Sequence, residues 1–188
     1  TGIIVTNIEA LTITCNYLCQ NYSKADYNIL FKEILTIAGI NKFEFVRDDT
    51  LSSYEDIQKR LSSINEKEKS RKSKGVYYTP IDVVRFILIN SIKSACGKLR
   101  PNGLHVLDLN GIPYNSFCFN KSVYDPTCGA GEFLVAALEI KLDLLDLHKE
   151  NITKGNLKKI VRTIKGNDVN MDSVIITKIR LFLCALQR

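Results

Sequence analysis

One stretch constrains the fold more than any other, because it predicts a strand, a tight turn and a helix in immediate succession. It reads Val123-Tyr124-Asp125-Pro126-Thr127-Cys128-Gly129-Ala130-Gly131-Glu132-Phe133-Leu134. Glycine lets backbone approach a ligand closely, and the first N–H groups of a helix have no helical partners. Such a turn therefore suits a polar or anionic ligand. An ordinary strand-to-helix connection of an α/β domain is the alternative, so the flanking segments have to decide.

The segments after this stretch continue the alternation of strand and helix. Residues 157–165 predict part helix and part strand, and residues 172–187 predict a last helix. The helix that follows the glycines has its apolar residues at helical spacing: Leu134, Ala137, Leu138, Leu142 and Leu145. Strand, helix, strand and helix in this order predict a parallel α/β sheet with right-handed crossovers.

The first third of the chain predicts a different organisation. Apolar periodicity predicts helices over residues 7–22 and 26–38, the second with Asp26 as N-cap and Gly39 as terminator. A third helix starts at the capping-box spacing Ser52-Ser53-Tyr54-Glu55. These helices predict a small helical domain over residues 1–65.

The composition then changes. Residues 66–75 are almost wholly charged or small and predict a solvated linker, with contact to a phosphate backbone as the alternative. Residues 76–188 form the predicted second domain. It begins with a helix that has Pro80 in its first turn, is strongly apolar and is expected to be well buried. Asn110-Gly111, between apolar runs, predicts a β-hairpin over residues 104–119.

Bulk properties narrow the class of protein. No apolar run approaches the roughly 20 residues that span a bilayer, so no membrane association is expected. The six cysteines are scattered without a CxxC pair, which predicts reduced core thiols, no metal site and a cytoplasmic location. The net charge of +6 and the pI near 9.0 favour contact with a polyanion without establishing it.

Three segments are expected to meet beyond the carboxyl ends of the strands, where open parallel sheets bind ligands. They are residues 77–80, residues 125–131 and Asp168. An acidic side chain after the second strand can accept two hydrogen bonds from a ribose diol, so a nucleoside-containing cofactor is predicted. A dinucleotide fingerprint fails because Leu134 stands where its third glycine belongs, and no Walker A sequence is present.

Together the three segments resemble the start of an N6-adenine DNA methyltransferase, of the kind found in type I and fused type IIG restriction–modification systems. Gly75-Val76-Tyr77-Tyr78-Thr79-Pro80 is similar to the first cofactor motif of that family. The stretch from Asp125 to Leu134 is similar to its DPxCGSGxFL motif, with Ala130 in place of serine. Gly166-Asn167-Asp168-Val169-Asn170 is similar to its acidic motif. The likeness covers residues 70–188.

The resemblance implies S-adenosylmethionine as cofactor and an incomplete Rossmann-like methyltransferase fold preceded by the helical domain. It implies that Tyr77, Tyr78, Thr79 and Pro80 surround the methionine carboxylate. Asp125, Thr127, Cys128, Gly129 and Gly131 would hold the methionine amino group and backbone. Asp168 would bind the ribose hydroxyls, and Val169 would pack on the adenine.

The catalytic motif of the family is absent from these residues. An Asn/Asp-Pro-Pro-Tyr/Phe sequence positions the flipped adenine in such enzymes, but no two of the four prolines here are adjacent. We therefore expect an N-terminal fragment, inactive alone, of a protein that acts on double-stranded DNA with a specificity or nuclease subunit or domain. An unpaired edge of the first strand would let the fragment form a homodimer. The alternatives are a methyltransferase for RNA or protein and a non-enzymatic module for DNA binding or assembly.

Overall fold

The structure, a computed structural model, describes residues 2–64, 79–98 and 108–188, with side chains from residue 7 onward. The described part is mostly helical with one small parallel sheet. Its helices are α1 (Gly2–Asn21), α2 (Lys24–Ala38), α3 (Tyr54–Ser63), α4 (Ile81–Ala95), α5 (Tyr114–Asn120), α6 (Glu132–Leu147), α7 (Lys154–Val161) and α8 (Met171–Leu186). Its strands are β1 (Val123–Asp125) and β2 (Ile164–Gly166). None of the described helices is both long and apolar enough to cross a membrane.

The described residues divide into two compact units that are discontinuous in sequence. The first unit comprises residues 2–64, Gly129–Gly131 and Asn170–Arg180. The second comprises residues 79–98, residues 108–128, Glu132–Val169 and Leu181–Arg188. The short glycine turn and most of α8 thus belong with the N-terminal helices, although β1 and β2, which precede them in sequence, belong to the second unit.

In the first unit, α1 packs against α2 and α3. The apolar residues Leu11, Cys15 and Leu18 of α1 are buried, as are Ile57 and Leu61 of α3. Burial of such side chains is the main term that stabilises a helical unit of this kind.

The start of α2 differs from the prediction. Ser23, and not Asp26, is the N-cap, because the Ser23 hydroxyl oxygen accepts the Asp26 N–H at 3.2 Å. The Asp26 carboxylate accepts the Ser23 hydroxyl proton at 2.6 Å, so Asp26 serves as the first-turn partner of the cap. Gly39 ends the helix with φ 70°, as predicted. In α3 the capping box forms one residue later than predicted, between Ser53 and Asp56.

The second unit is built around α6, which contacts α4, α5, α7 and both strands. The five predicted apolar positions of α6 are all buried. The two strands pair in parallel, with Val123 opposite Ile164 and Asp125 opposite Gly166. The predicted strand–helix–strand order and the parallel pairing are therefore confirmed. The described sheet has these two strands, so a mixed α/β arrangement is established and the larger Rossmann-like sheet stays a prediction.

The predicted β-hairpin over residues 104–119 is wrong in its second half. Residues 114–120 form the helix α5 after Pro113, so they are not the second strand of a hairpin. This helix buries Phe117 and Cys118, and it packs against α6. The first half of that predicted hairpin, residues 104–107, lies outside the described residues.

Helix α4 is only partly buried, although its composition predicts a helix buried on most sides. Val84, Leu88 and Ile89 are buried. Four further apolar side chains are about two-fifths exposed: Ile81, Val83, Phe86 and Ile87. Among the described residues, α6 is the element against which α4 packs most extensively, so α4 is buried mainly along one face.

Lys141 of α6 is fully buried, and its ammonium group donates hydrogen bonds to carbonyl oxygens at the end of α5. Nζ donates to the carbonyl oxygens of Phe117 at 2.9 Å and Lys121 at 2.7 Å, and to Oγ1 of Thr163 at 2.7 Å. The group also lies 4.5 Å from the centre of the Phe117 ring. Burial lowers the Lys141 pKa from 10.5 to about 8. Lys141 therefore ties α5, β1 and the start of β2 together.

Candidate functional site

The carboxyl ends of β1 and β2 lie side by side, and two backbone hydrogen bonds extend their pairing into the loops. The Asn167 N–H donates to the Asp125 carbonyl oxygen at 2.9 Å, and the Cys128 N–H donates to the Asn167 carbonyl oxygen at 2.9 Å. The loop with Asp125, Thr127 and Cys128 therefore adjoins the loop with Asp168 and Val169. The structure brings these five predicted residues to one edge of the sheet.

Asp125 is fixed by the turn that follows it. Its Oδ1 accepts the N–H of Thr127 at 3.0 Å, which closes an Asx turn directly after β1. The side chain is half-buried. This hydrogen bond orients the carboxylate at the edge of the sheet before any ligand arrives.

Gly166 lets the two loops come together. A Cβ atom at this position would lie 2.5 Å from Cδ1 of Leu134, 3.1 Å from Cβ of Cys128 and 3.2 Å from the Asp125 carbonyl oxygen. Any other residue at the end of β2 would push α6 or the β1 loop away. The glycine is thus required by packing between the strand end and the helix that follows the turn.

The side chain of Asn167 adds a further link, between the β2 loop and β1. Its Nδ2 donates to the Tyr124 hydroxyl oxygen at 3.1 Å, while its backbone bonds to Asp125 and Cys128. Sequence reasoning gave Asn167 no role of its own. Its place directly before Asp168, at the end of the second strand, was the available signal.

Asp168 and Val169 follow in the β2 loop with different exposures. Asp168 is half-buried. Val169 is fully exposed, at 106% of its reference accessible surface. An apolar side chain held entirely in solvent beside a carboxylate offers one hydrophobic and one hydrogen-bonding surface to a ligand.

The glycines of the turn belong to the first unit and have backbone conformations that favour glycine. Gly129 has φ 53° and Gly131 has φ 90°. Oγ1 of Thr177 donates to the Gly129 carbonyl oxygen at 2.9 Å. A Cβ atom on Gly131 would lie 2.8 Å from both Oγ1 and Cγ2 of Thr177. The turn is therefore packed against α8 and anchored by a threonine that sequence reasoning missed.

Arg180, one turn further along α8, holds the same turn from another side. Its Nη1 donates to the Ala130 carbonyl oxygen at 2.7 Å, and its Nε donates to Oε1 of Gln58 at 2.8 Å. Nε2 of Gln58 donates back to the Arg180 carbonyl oxygen at 3.0 Å. Arg180 is 4% exposed, so the guanidinium is a buried link between α3 and the glycine turn. The signal in the sequence was an arginine within an otherwise apolar helix face.

The first predicted cofactor segment is described only in part. Tyr77 and Tyr78 lie outside the described residues, as does the predicted linker over residues 66–75. Thr79 is half-buried and Pro80 is exposed at the start of α4. The Pro80 carbonyl oxygen accepts the Val84 N–H at 3.0 Å, which makes Pro80 the N-cap.

The six cysteines are free thiols. Within residues 2–64, 79–98 and 108–188, no group of three or more His, Cys, Asp and Glu side chains is arranged to hold a metal ion. The chemistry that the described strand ends offer is therefore carboxylate, amide and backbone hydrogen bonding around an exposed apolar side chain.

The chain is similar to one curated protein of Methanocaldococcus jannaschii, named "Putative type II restriction enzyme and methyltransferase". The two are 26% identical over an alignment of 149 positions, and the match covers 64% of this chain and 13% of the relative. The chain thus spans about an eighth of the length of that protein. No protein-family model and no solved structure matches this chain.

Proposed function

We propose that this chain is the S-adenosylmethionine-binding part of a DNA adenine-N6 methyltransferase of a restriction–modification system. The observation that carries the proposal is the shared strand edge. Asp125 and Asp168 each follow a parallel strand, and backbone hydrogen bonds join their two loops. The similarity to a protein named as a restriction enzyme and methyltransferase supports the same class.

The donor set at this edge fits the proposed cofactor. Asp168 accepts hydrogen bonds from the ribose hydroxyls, and exposed Val169 packs on the adenine ring, which removes apolar surface from water. Asp125, oriented by the Thr127 N–H, accepts from the methionine amino group. S-adenosylmethionine supplies a methyl group on a sulfonium centre, and these side chains bind and orient the molecule that carries it.

The remaining assignments rest on the resemblance together with backbone conformation. Gly129 and Gly131 leave room for the methionine backbone because they lack side chains, and Thr127 and Cys128 contribute backbone groups of the same loop. Tyr77, Tyr78, Thr79 and Pro80 are proposed for the methionine carboxylate. No Pro-Pro pair occurs in the sequence, so we assign no residue here to the target adenine and expect no methyl transfer by these 188 residues alone.

Duplex DNA is the proposed substrate, and a specificity or nuclease subunit or domain is a proposed partner. A homodimer of the fragment through the free edge of β1 also stays a proposal. Sedimentation over a tenfold range of concentration tests the dimer, and a sedimentation coefficient that does not change would contradict it.

Calorimetric titration with S-adenosylmethionine tests the site. We expect binding by the wild type and a loss of about tenfold or more with Asp168→Ala, because two charge-assisted hydrogen bonds disappear. Asp49→Ala, which removes an exposed carboxylate from the first unit, is the matched control. Equal affinities for the two variants would overturn the ribose assignment.

A second variant separates binding from folding. Val169→Ser alters a fully exposed side chain, so the free energy of unfolding should stay unchanged while affinity for the cofactor falls several-fold. Asp125→Asn keeps the oxygen that accepts the Thr127 N–H and removes only the charge. If none of the three variants weakens binding, or if the wild type does not bind, the alternative of a non-enzymatic DNA-binding module gains support.

A further inference from the structure

A cluster of cations occupies the second unit at the end of the sheet opposite the candidate site. Lys121 lies two residues before β1, and Arg162 lies two residues before β2. The strands start in register at Val123 and Ile164, so these two cations flank the same end of the sheet. Nζ of Lys141 bonds to both the Lys121 carbonyl oxygen and Thr163, which fixes the two chain segments side by side.

Helix α7 adds three lysines to this end. At 100° per residue, Lys154, Lys158, Lys159 and Arg162 fall within an arc of about 140°. Ile160, which is fully buried, lies on the opposite side of the helix. We call five exposed cations the basic surface: Lys121, Lys154, Lys158, Lys159 and Arg162.

The basic surface has no compensating charge nearby in sequence. No Asp or Glu occurs from Asn151 to Asn167, whereas five of those residues are Lys or Arg. Among the described residues, none of the five cations forms an ion pair. The acids that bound this run in sequence are Asp168, at the candidate site, and Glu150, which accepts a hydrogen bond from the Tyr114 hydroxyl at 2.7 Å. The positive potential of this surface is therefore left for a partner outside the described residues.

Helix stability alone explains only part of this pattern. Lys158 and Lys159 lie in the last turn of α7, where cations interact favourably with the helix dipole. Lys154 and Lys158, however, are like charges four residues apart, and such pairs destabilise a helix. Lys121 lies outside the helix, two residues before β1. An eight-residue helix whose cations repel one another, with a further lysine at the adjoining chain segment, is typical of a surface that neutralises phosphates.

We propose that the basic surface binds the phosphate backbone of duplex DNA without reading its sequence. Lys154, Lys158 and Arg162 extend over about 12 Å along α7, enough to contact several successive phosphates of one strand. No large apolar side chain is exposed between residues 148 and 168, so the surface lacks the hydrophobic residues that a membrane-bound helix inserts. The choice of DNA as the polyanion rests on the proposed function; the basic surface itself does not.

The test is the salt dependence of binding to a fluorescent duplex of arbitrary sequence, measured by anisotropy on the whole chain. The triple variant Lys154→Gln, Lys158→Gln and Arg162→Gln should bind at least tenfold more weakly at low salt. Its slope of log affinity against log salt should be shallower by up to about 3, since each lost phosphate contact removes about 0.9. The charged segment over residues 66–75 stays intact in every variant.

The matched control removes the same charge from exposed lysines of the first unit: Lys24→Gln, Lys32→Gln and Lys59→Gln. Equal losses in the two triples would overturn the proposal, because net charge alone would then explain binding. So would tighter binding of the wild type to duplex RNA, or to phosphatidylserine vesicles, than to DNA. Cofactor titration of the same variants keeps the two proposals separate, since the α7 triple should bind S-adenosylmethionine like the wild type. Circular dichroism verifies that α7 remains folded.

Discussion

Gly166 is the residue at which the two strand-end loops and α6 approach most closely. Gly166→Ala should lower the free energy of unfolding by about 1–3 kcal/mol, because the new methyl group would lie closer to Leu134 and Cys128 than van der Waals contact allows. Gly155→Ala is the control, since a Cβ atom there lies 3.8 Å from its nearest neighbour. That control should stabilise the protein by about 0.5–1 kcal/mol. Urea unfolding measures both, and effects of the same sign would contradict the packing argument.

Lys141 makes stability depend on pH with a sign that can be worked out. Burial lowers its folded-state pKa from 10.5 to about 8, so the folded state releases this proton before the unfolded state does. The cost of burying the charge is fully present below pH 8, and it is relieved as the pH rises from 8 to 10.5. The relief amounts to at most about 3 kcal/mol, the equivalent of the pKa shift.

We therefore expect the wild type to gain stability relative to Lys141→Met between pH 8 and 10.5. At pH 7 the variant should still be less stable by about 1–3 kcal/mol, because carbonyl groups of α5 lose their donor. Lys158→Met, at an exposed position, should show neither effect. A difference between wild type and Lys141→Met that is flat with pH would contradict the assigned cause.

At the scale of elements, α4 shows how a helix with an apolar sequence becomes buried on one side only. Ile87 is 42% exposed, whereas Ile89, two residues further along the helix, is fully buried. Ile89→Ala should lower the free energy of unfolding by about 2–5 kcal/mol, because it removes buried methyl groups and leaves a cavity. Ile87→Ala should cost less than about 1 kcal/mol. Equal losses measured by urea unfolding would mean that the outer face of α4 is covered.

In the glycine turn, the backbone conformation and the anchoring come from different parts of the chain. Its conformation follows from Gly129 and Gly131, but its anchoring comes from Thr177 and Arg180 of α8. Gln58 then extends that contact to α3, a partner 122 residues away in sequence. A turn held by carbonyl hydrogen bonds from a distant helix keeps its shape before a ligand binds, which lowers the entropy lost on binding.

At the scale of the whole molecule, ligand binding and stability are linked. On the proposed function, S-adenosylmethionine at about 100 times its dissociation constant should raise the free energy of unfolding by roughly 2.7 kcal/mol, because a ligand that binds only the folded state stabilises that state. Thermal unfolding with and without the cofactor measures this increase. Adenosine at the same concentration should have a smaller effect, because it lacks the methionine contacts proposed for Asp125. An equal effect of the two would contradict that assignment.

The sequence alone determined the features that are encoded within a few neighbouring residues. The Gly39 terminator of α2, the strand–turn–helix at Asp125 to Leu134 and the parallel order of β1 and β2 follow from glycines and apolar periodicity. The starts of α2 and α3 follow from capping residues to within one to three positions. These signals act over one or two helical turns, so distant parts of the chain do not need to be known. Several residues near each helix start are able to act as the cap, and the local pattern does not choose among them. The α3 capping box is therefore shifted by one residue, and the α2 cap by three.

Only the tertiary structure decided which faces are covered and which polar groups find partners. Residues 114–120 form a helix that packs against α6 and buries Phe117 and Cys118, and the apolar run by itself did not distinguish this helix from a strand. The burial of Lys141 and Arg180, and the exposure of the basic surface, likewise depend on segments far away in sequence. Burial and hydrogen bonding are properties of pairs of elements, and a single element does not contain them.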